Sequence, residues 1–324
     1  MIRLSDFYKE IFGSKTYKLS LDASCTCPNR DGTKGKGGCI FCSESGSGEF
    51  AANRSLSIKE QVEKAKALVE SKIRGRSGSR KGKYIAYFQN FTSTYGNAKL
   101  LAQKYKEALS CENVVALAIA TRPDCIEGEI LKEIAKIAEK SFVQIELGLQ
   151  TSNEKTGKFI NRLYTNDDYA GAVKRIKKAN PKIHIVTHLI FGLPGDTEKD
   201  MLESVKFVKE TAEASVNSLS FRAELSLAEK SSQFSQFYGI KITSLFVLKN
   251  TRLAGLYENG DFKALEKDEY ISLLKKALPI LGERCVVHRL TGDPPKSTLI
   301  APLWTSDKKR VLNEISGILR EKSV

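Results

Sequence analysis

Four cysteines lie close together near the start of the chain, and thiolates at this density could hold a metal. They are Cys25, Cys27, Cys39 and Cys42, in the stretch CTCPNRDGTKGKGGCIFC. Grouped thiolates ligate zinc or an iron–sulfur cluster, or pair as disulfides, and the neighbouring residues decide between these fates. The first chemistry to consider for this chain is therefore that of a metal centre.

The spacing of these cysteines argues against structural zinc. A zinc ribbon uses two CxxC pairs, whereas this chain has one, Cys39 and Cys42, together with a CxC pair followed by proline. The cysteines also follow an alternating run, Tyr17 to Leu21, which is typical of the first strand of an α/β domain. If only three thiolates ligate a [4Fe–4S] cluster, one iron keeps an open position for chemistry.

These residues resemble the radical S-adenosylmethionine (SAM) enzymes. The resemblance is carried by Cys27, Cys39 and Cys42, with the intervening PNRDGTKGKGG and Phe41. The gap between the first two cysteines is wider than the usual CxxxCxxC and resembles the YtqA/YhcC-type (MnmL-like) branch, which is related to the Elongator catalytic subunit. Further blocks along nearly the whole chain continue the resemblance, namely YIAYFQNFTSTYG, ATRPDC, IELGLQTSNEKT, THLIFGLPGDT, LFVLKNTRLAGLYENGDF and HRLTGDPP. Several blocks in order are more specific than one cysteine motif.

The resemblance implies two cofactors. Cys27, Cys39 and Cys42 are expected to hold a [4Fe–4S] cluster, and Cys25, where relatives usually have another residue, is expected not to ligate. SAM would bind the open iron, and an electron from a flavodoxin-type or ferredoxin-type donor would release a 5′-deoxyadenosyl radical that abstracts hydrogen from carbon. The protein's own task is then to orient the substrate and exclude water.

The resemblance also implies contacts to SAM. Phe41 is expected near the adenine, and Gln150 and Arg162 near the methionine or ribose end. Further pocket candidates at predicted strand ends are Tyr87, Gln89, Arg122 and His188. Candidates for catalysis are Arg122, Gln150 and His188, although His188 could equally be a core histidine.

Two short segments depart from the patterns of related enzymes. Many radical SAM enzymes carry a Gly-Gly-Glu turn that holds the SAM amino group, whereas this chain and its nearer relatives have Gln89-Asn90-Phe91 instead. Relatives usually have a small residue and then histidine after the arginine, where this chain has Leu163-Tyr164. The second departure puts the identity of the substrate or SAM contact in question.

Alternating strand and helix patterns predict parallel βαβ units. The predicted strands are 17–22, 84–89, 114–120, 142–149, 183–191 and 242–248, and the predicted helices between them are 58–73, 97–109, 127–139, 165–179 and 197–211. The expected fold is an α/β partial (β/α)6 barrel over residues 1–250, with its chemistry at the carboxyl ends of the strands. Residues 251–324 are expected to form a small C-terminal extension packed on the barrel, and no role is assigned to 221–239.

Composition fits a cytosolic enzyme without a membrane segment. The chain has 324 residues and is 41% hydrophobic, which suffices for a large core. No apolar run is long enough to span a bilayer, and the first residues lack the apolar centre of a signal peptide. A reducing cytosol also suits unpaired thiols and an oxygen-sensitive cluster. The oligomeric state stays open.

The charge of the chain favours a polyanionic partner. The net charge is +14, and such a surplus favours nucleic acid through counterion release. The strongest basic stretch is 71–83, where the candidate RNA contacts are Arg74, Arg76, Arg80 and Lys81. Such a glycine- and serine-rich stretch could instead be a solvated linker.

The resemblance implies a tRNA substrate. It implies conversion of 5-carboxymethylaminomethyluridine at the wobble position to 5-aminomethyluridine, and a substrate carboxylate would favour a pocket arginine, with Arg122 and Arg289 as candidates. An unpaired anticodon base can enter a pocket with little unstacking cost. The alternatives are a radical SAM enzyme acting on a small metabolite or peptide, and a zinc-containing RNA-binding module.

Overall fold

The centre of the protein is a sheet of eight parallel strands that curls into a partial barrel. The computed structural model describes residues 1–46, 48–74, 82–220 and 234–321. The strands are β1 (Ile2–Arg3), β2 (Thr16–Leu21), β3 (Lys83–Phe88), β4 (Val114–Thr121), β5 (Phe142–Gln150), β6 (His184–Phe191), β7 (Tyr238–Ser244), β8 (Val247–Leu248), β9 (Cys285–Arg289) and β10 (Leu299–Ala301). The sheet order is β1-β9-β7-β6-β5-β4-β3-β2, and β8 pairs with β10 in a separate small sheet.

Helices connect the parallel strands, as βαβ units require. They are α1 (Leu4–Phe12), α2 (Ile58–Arg74), α3 (Ala98–Leu109), α4 (Gly128–Lys140), α5 (Glu154–Phe159), α6 (Asn166–Ala179), α7 (Glu198–Ser220), α8 (Arg252–Glu258), α9 (Lys267–Ala277) and α10 (Lys308–Glu321). Polar caps set several of their starts: Asn97 caps α3, and Thr165 forms a capping box with Asp168 on α6. The partial (β/α) barrel predicted from the sequence is confirmed.

The sixth strand of the prediction was misplaced. It was expected at 242–248, whereas β7 spans Tyr238–Ser244 and the apolar residues that follow form the separate strand β8. Tyr238 and Gly239 pair with Cys285 and Val286 of β9, so neighbouring backbone rather than apolar character sets the start of this strand. The sequence pattern carried no information about that neighbour.

Residues after 250 take part in the sheet itself. The strand β9 lies between β7 and β1 and is parallel to both. Its first four residues are buried, which is the pattern of a strand covered on both faces. The chain beyond residue 250 therefore supplies a strand of the barrel as well as the helices α8 to α10. The division into two domains at that residue stays a prediction.

The helix α1 closes the bottom of the barrel, at the amino ends of the strands. Its Phe7 and Tyr8 pack with Ile85, Ala116 and Val286 from three strands. No helix in the described part of the chain is long and apolar enough to cross a membrane. The bottom of the barrel is thus filled, and open space is confined to the carboxyl ends.

Tyr270 of α9 ties this helix to two strands. The side chain is fully buried, and its hydroxyl lies 3.1 Å from both the Ile242 and the Leu290 carbonyl oxygens. A buried carbonyl that loses its donor costs about 1–2 kcal/mol. The hydroxyl of Tyr257, in contrast, makes no hydrogen bond within the described residues and provides a matched control.

Replacing Tyr270 with phenylalanine should lower the free energy of unfolding by about 1–2 kcal/mol, because both carbonyls lose this donor. Tyr257→Phe should change it by less than about 0.5 kcal/mol. Denaturant unfolding followed by circular dichroism measures both. Equal stability of the two variants would contradict the assigned bracing role of Tyr270.

Two buried histidines contact each other near the bottom of the barrel. The Nε2 atoms of His184 and His288 are 2.8 Å apart, and the two rings stack. Burial lowers the pKa of His184 to about 3, with the charge of Lys177 adding to the effect. Burial also holds the pKa of His288 well below its usual range. Both rings are therefore neutral in the folded protein.

Acid should destabilise the fold through this pair. The unfolded chain protonates histidine near pH 6.5, about which the folded pair stays neutral, so its stability is retained above that pH and falls below it. The expected loss is up to about 1.4 kcal/mol per pH unit for each histidine. Replacing His288 with glutamine should reduce this slope between pH 6.5 and 5 in denaturant titrations. An unchanged slope would contradict the neutral state of the pair.

Candidate active site at the carboxyl ends of the strands

The cysteine motif forms a loop that follows β2. Backbone turns shape it: the Arg30 N–H donates to the Cys27 carbonyl at 2.8 Å, and the Cys42 N–H to the Cys39 carbonyl at 3.0 Å. The Arg30 guanidinium also donates to the carbonyls of Cys42 and Ser43. The thiols of Cys27, Cys39 and Cys42 are unpaired and partly accessible. The loop therefore presents three thiols on a frame of internal hydrogen bonds.

A second segment, which follows α5, holds this loop in place. The Asn29 side chain donates to the Asn161 carbonyl at 2.6 Å, and the Asn161 side chain donates to the Gly38 carbonyl at 2.8 Å. The contact is close, since a Cβ placed on Gly35 would lie 2.4 Å from the Leu163 side chain. The cysteine loop and this distant segment thus form one unit.

The donor set fits an iron–sulfur cluster. Burial and the neighbouring Cys42 raise the pKa of Cys39 to about 12, so its thiolate needs a nearby cationic group. Among the described residues, no three His, Cys, Asp or Glu side chains converge on a point where they could hold one metal ion. A four-iron cluster instead takes one thiolate per iron and suits ligands that stand further apart.

Cys25 lies in different surroundings. It is buried in the main hydrophobic core with Ala23 and Tyr105. Burial raises its pKa to about 11, and the charged groups around it are Lys104, Asp22 and Arg54. These surroundings agree with the expectation that Cys25 does not ligate, which stays a prediction.

A cavity of about 980 Å³ opens beside the cysteine loop. Five of the side chains expected from the sequence line it, namely Phe41, Tyr87, Gln89, Gln150 and His188. Gln150 ends β5 with a positive φ of 66°, and the Tyr164 hydroxyl lies 3.2 Å from its Oε1. The residue that stands where relatives have histidine therefore orients Gln150 at the cavity wall.

Arg162 does not line this cavity. Its side chain is 1% exposed, and its five N–H groups donate to the carbonyls of Leu149, Thr151 and Tyr164 and to the side chains of Glu154 and Asn166. The expectation that Arg162 contacts SAM is therefore corrected, because no donor is left. This arginine braces the end of β5 against the segment that holds the cysteine loop.

Arg122 is likewise engaged inside the protein. It donates to both oxygens of Asp124 at 2.9 Å and to the Arg162 carbonyl at 3.1 Å. Its guanidinium also lies 4.8 Å from the centre of the Tyr164 ring. Its charge favours the Cys39 thiolate. Arg122 is not among the residues that line the cavity, so a direct catalytic contact is not supported, whereas an electrostatic influence on Cys39 is.

The basic stretch expected to contact RNA is described only at its start. Arg74 ends α2, and the other three residues of that prediction, Arg76, Arg80 and Lys81, lie outside the described residues. The segment 221–233, part of the stretch without an assigned role, lies outside them as well.

The sequence analysis missed a group of charged residues in the barrel interior. Glu146 of β5 contacts Lys18 of β2 at 2.6 Å and also contacts Lys241 of β7. It accepts hydrogen bonds from Tyr87 at 2.6 Å and His188 at 2.9 Å. A signal was present, because a charged residue stands between two buried apolar ones in Ile145-Glu146-Leu147 and in Ile240-Lys241-Ile242.

Comparisons with known proteins identify the family. The Radical SAM superfamily model matches residues 27–208, and the Radical_SAM C-terminal domain model matches 237–321. The chain is 36% identical to YtqA of Bacillus subtilis, over 97% of this chain and 88% of that protein. It is 30% identical to YhcC of Escherichia coli, over 97% of this chain and 90% of that protein. The chain belongs to the radical SAM superfamily.

Solved structures of radical SAM proteins share the fold. The archaeal Elp3 of Methanocaldococcus infernus superposes with a TM-score of 0.60 at 15% identity, over 93% of this chain and 63% of that chain. Methylornithine synthase superposes with a TM-score of 0.51 at 13% identity, over 95% of this chain and 84% of that chain. A shorter match of 36% identity covers 28% of this chain and 20% of the tRNA-2-methylthio-N(6)-dimethylallyladenosine synthase of Clostridium novyi.

Membership in the radical SAM superfamily has a direct consequence for the cofactors. Enzymes of this superfamily use a [4Fe–4S] cluster and SAM. The alternative of a zinc-containing RNA-binding module is therefore set aside. The cysteine loop beside the cavity is the place in the described structure whose donors suit such a cluster.

Replacing Cys39 with alanine should reduce the iron content from about four atoms per chain and remove the broad absorption of the cluster, because one ligand is lost. Cys25→Ala is the matched control and should retain both. Iron and sulfide analysis with absorption spectra of anaerobically purified protein measures the outcome. Loss of iron in the Cys25 variant alone would reverse the ligand assignment.

Proposed function

We propose that this radical SAM enzyme modifies tRNA and converts 5-carboxymethylaminomethyluridine at the wobble position to 5-aminomethyluridine. The observation that carries the proposal is the large cavity beside the cysteine loop, with an aromatic side chain on its wall. Phe50 lines the cavity and is 59% exposed. An exposed aromatic ring beside a cavity suits an unpaired base, which binds proteins by stacking.

The helix α2 connects this cavity to the basic stretch. Its Lys64 and Leu68 line the cavity, and the helix ends at Arg74, where the basic stretch continues along the sequence. Lysine and arginine near such an opening favour the phosphates that flank an extruded base. The net charge of +14 supports the same kind of partner.

Two of the similar proteins support a tRNA substrate. The Clostridium novyi protein that matches part of the chain is, by its name, a synthase acting on tRNA. The likeness to archaeal Elp3 supports the fold. A small metabolite or peptide remains the alternative substrate, and the exposed Phe50 with the basic charge favours RNA over it.

The residues of the chain have separable tasks in this proposal. When bound, the cluster and SAM supply a 5′-deoxyadenosyl radical after reduction by a flavodoxin-type or ferredoxin-type donor. Cys27, Cys39 and Cys42 would hold the cluster, and Phe41, Gln89 and Gln150 line the part of the cavity where SAM is expected. The filled barrel bottom keeps water from entering behind the substrate.

Cells without this gene should lack the 5-aminomethyluridine product and accumulate its precursor. Mass spectrometry of nucleosides from tRNA of cells with and without the gene measures this, and re-expression of the gene should restore the product. Re-expression of the Cys39→Ala variant is the control that separates catalysis from binding. An unchanged wobble-uridine profile would contradict the proposal.

Neutralising Arg74, Arg76, Arg80 and Lys81 should weaken tRNA binding and flatten its salt dependence by roughly 0.9 per lost phosphate contact. The matched control neutralises four exposed lysines on α4 and α6, namely Lys132, Lys136, Lys140 and Lys178. Filter binding of tRNA over a range of salt concentrations gives both slopes. Equal slopes for the two variants would assign the attraction to overall charge.

A further inference from the structure

The deep part of the cavity is formed by four donor side chains from four different strands. They are Lys18, Tyr87, His188 and Lys241, and all of them line the cavity. Each also contacts the carboxylate of Glu146. We name these four residues the cavity floor. Its members are separated along the chain and meet only through this one carboxylate.

Glu146 itself is closed to a ligand. Its side chain has no exposed surface, and besides the four floor residues it accepts from the Gln144 amide at 2.5 Å. Burial alone would raise its pKa, but the charges of Lys18 and Lys241 hold that pKa well below the usual range. Glu146 is therefore a charged internal anchor that fixes the positions of the floor residues.

The floor carries more positive charge than this anchor neutralises. Lys18 and Lys241 share the one carboxylate of Glu146, and Arg289 lines the same cavity with its nearest acid, Asp293, 3.7 Å away. Asp293 is at the same time paired with Lys308. Buried lysines need counter-charge because desolvation of an unpaired ammonium is costly. The missing counter-charge is that of an anion in the cavity.

The lysines also have donors to offer. Within the described residues, Lys18 Nζ has Glu146 as its hydrogen-bond acceptor, and Lys241 Nζ has Glu146 and the Tyr87 hydroxyl. An ammonium group has three N–H donors, so both lysines retain at least one. A carboxylate accepts such charge-assisted hydrogen bonds at two oxygens.

The floor lies below the residues expected to contact SAM. On β3, Tyr87 precedes Gln89 by two positions, and on β5 Glu146 precedes Gln150 by four, which corresponds to depths of about 7 and 13 Å. An anion bound there would lie beyond the cofactor layer, toward the barrel bottom. A substrate that reaches the floor therefore passes the SAM position with its chain in between.

We propose that the cavity floor binds the carboxylate of the substrate's side chain through Lys18, Lys241 and Arg289. This inference rests on the proposed tRNA function and adds to it the residues that select the carboxymethylamino group. The carboxylate held at the floor fixes the carbon chain next to it in the middle of the cavity. An arginine role in carboxylate binding, expected from the sequence for Arg122 or Arg289, falls to Arg289, since Arg122 is engaged with Asp124.

Three anticodon stem-loop RNAs test the inference by binding to the cluster-loaded protein. They differ only at the wobble base, which carries the carboxymethylaminomethyl group, its neutral carboxamide, or no side chain. The phosphates are the same, so backbone attraction cancels in the ratio of dissociation constants. The wild type should bind the carboxylate RNA about 10- to 100-fold more tightly than the carboxamide RNA.

Variants locate that preference. Lys241→Met should reduce the carboxylate preference about tenfold or more. Because this change also removes a partner of Glu146, Arg289→Met provides a second test that leaves the Glu146 contacts in place. Thermal unfolding shows whether each variant is folded. Lys64→Met, which alters a cavity-lining lysine on α2, is the matched control and should weaken all three RNAs equally.

The outcomes separate the inference from the proposed function. If the wild type converts the carboxylate RNA but binds the carboxamide RNA equally well, the floor assignment is overturned and the tRNA function stands. A preference that survives in folded Lys241 and Arg289 variants also overturns the assignment. If the wild type neither converts the carboxylate RNA nor distinguishes it from the unmodified RNA, the proposed function itself fails.

Discussion

A buried carboxylate organises the interior of this barrel. Glu146 has no exposed side-chain surface, yet five donors surround it, from β2, β3, β6, β7 and its own strand. Burying one ion of this kind alone costs several kcal/mol, and such a cost is offset only when partners are held in good geometry. The strands must therefore keep their register around it. In return the barrel keeps a polar, water-accessible cavity where an apolar interior would have filled the space.

Arg162 plays a comparable part at the carboxyl ends of the strands. Its five hydrogen bonds fasten the end of β5 to the segment that also holds Asn29 and Gly38 of the cysteine loop. The loop is otherwise rich in glycine and has little side-chain packing of its own. Its position relative to Gln150 and the cavity thus depends on a buried arginine that touches no cofactor.

The two anchors divide the cavity into layers. Near the cysteine loop lie Phe41, Gln89 and Gln150, and deeper in the barrel lie the lysines around Glu146. The exposed Phe50 and the α2 residues stand on another part of the wall. A radical enzyme needs such an arrangement, because its reactive species must meet one carbon of the substrate while the remainder of the substrate is held elsewhere. The fold supplies the layers, and the side chains on each strand determine what each layer binds.

The sequence by itself determined the cysteine ligand candidates, the family and the alternation of strands and helices. These features are local: a motif, an ordered set of blocks, and the periodicity of apolar residues. The tertiary structure alone decided which polar residues meet. Periodicity tells which face of a strand a residue occupies but not which strand lies beside it, so the contacts of Glu146 with Lys18 and Lys241, which are 128 and 95 residues away, could not be predicted. The same limit misassigned Arg122 and Arg162, because their donors are used by backbone and side chains that the sequence does not place, and it hid the entry of β9 into the sheet.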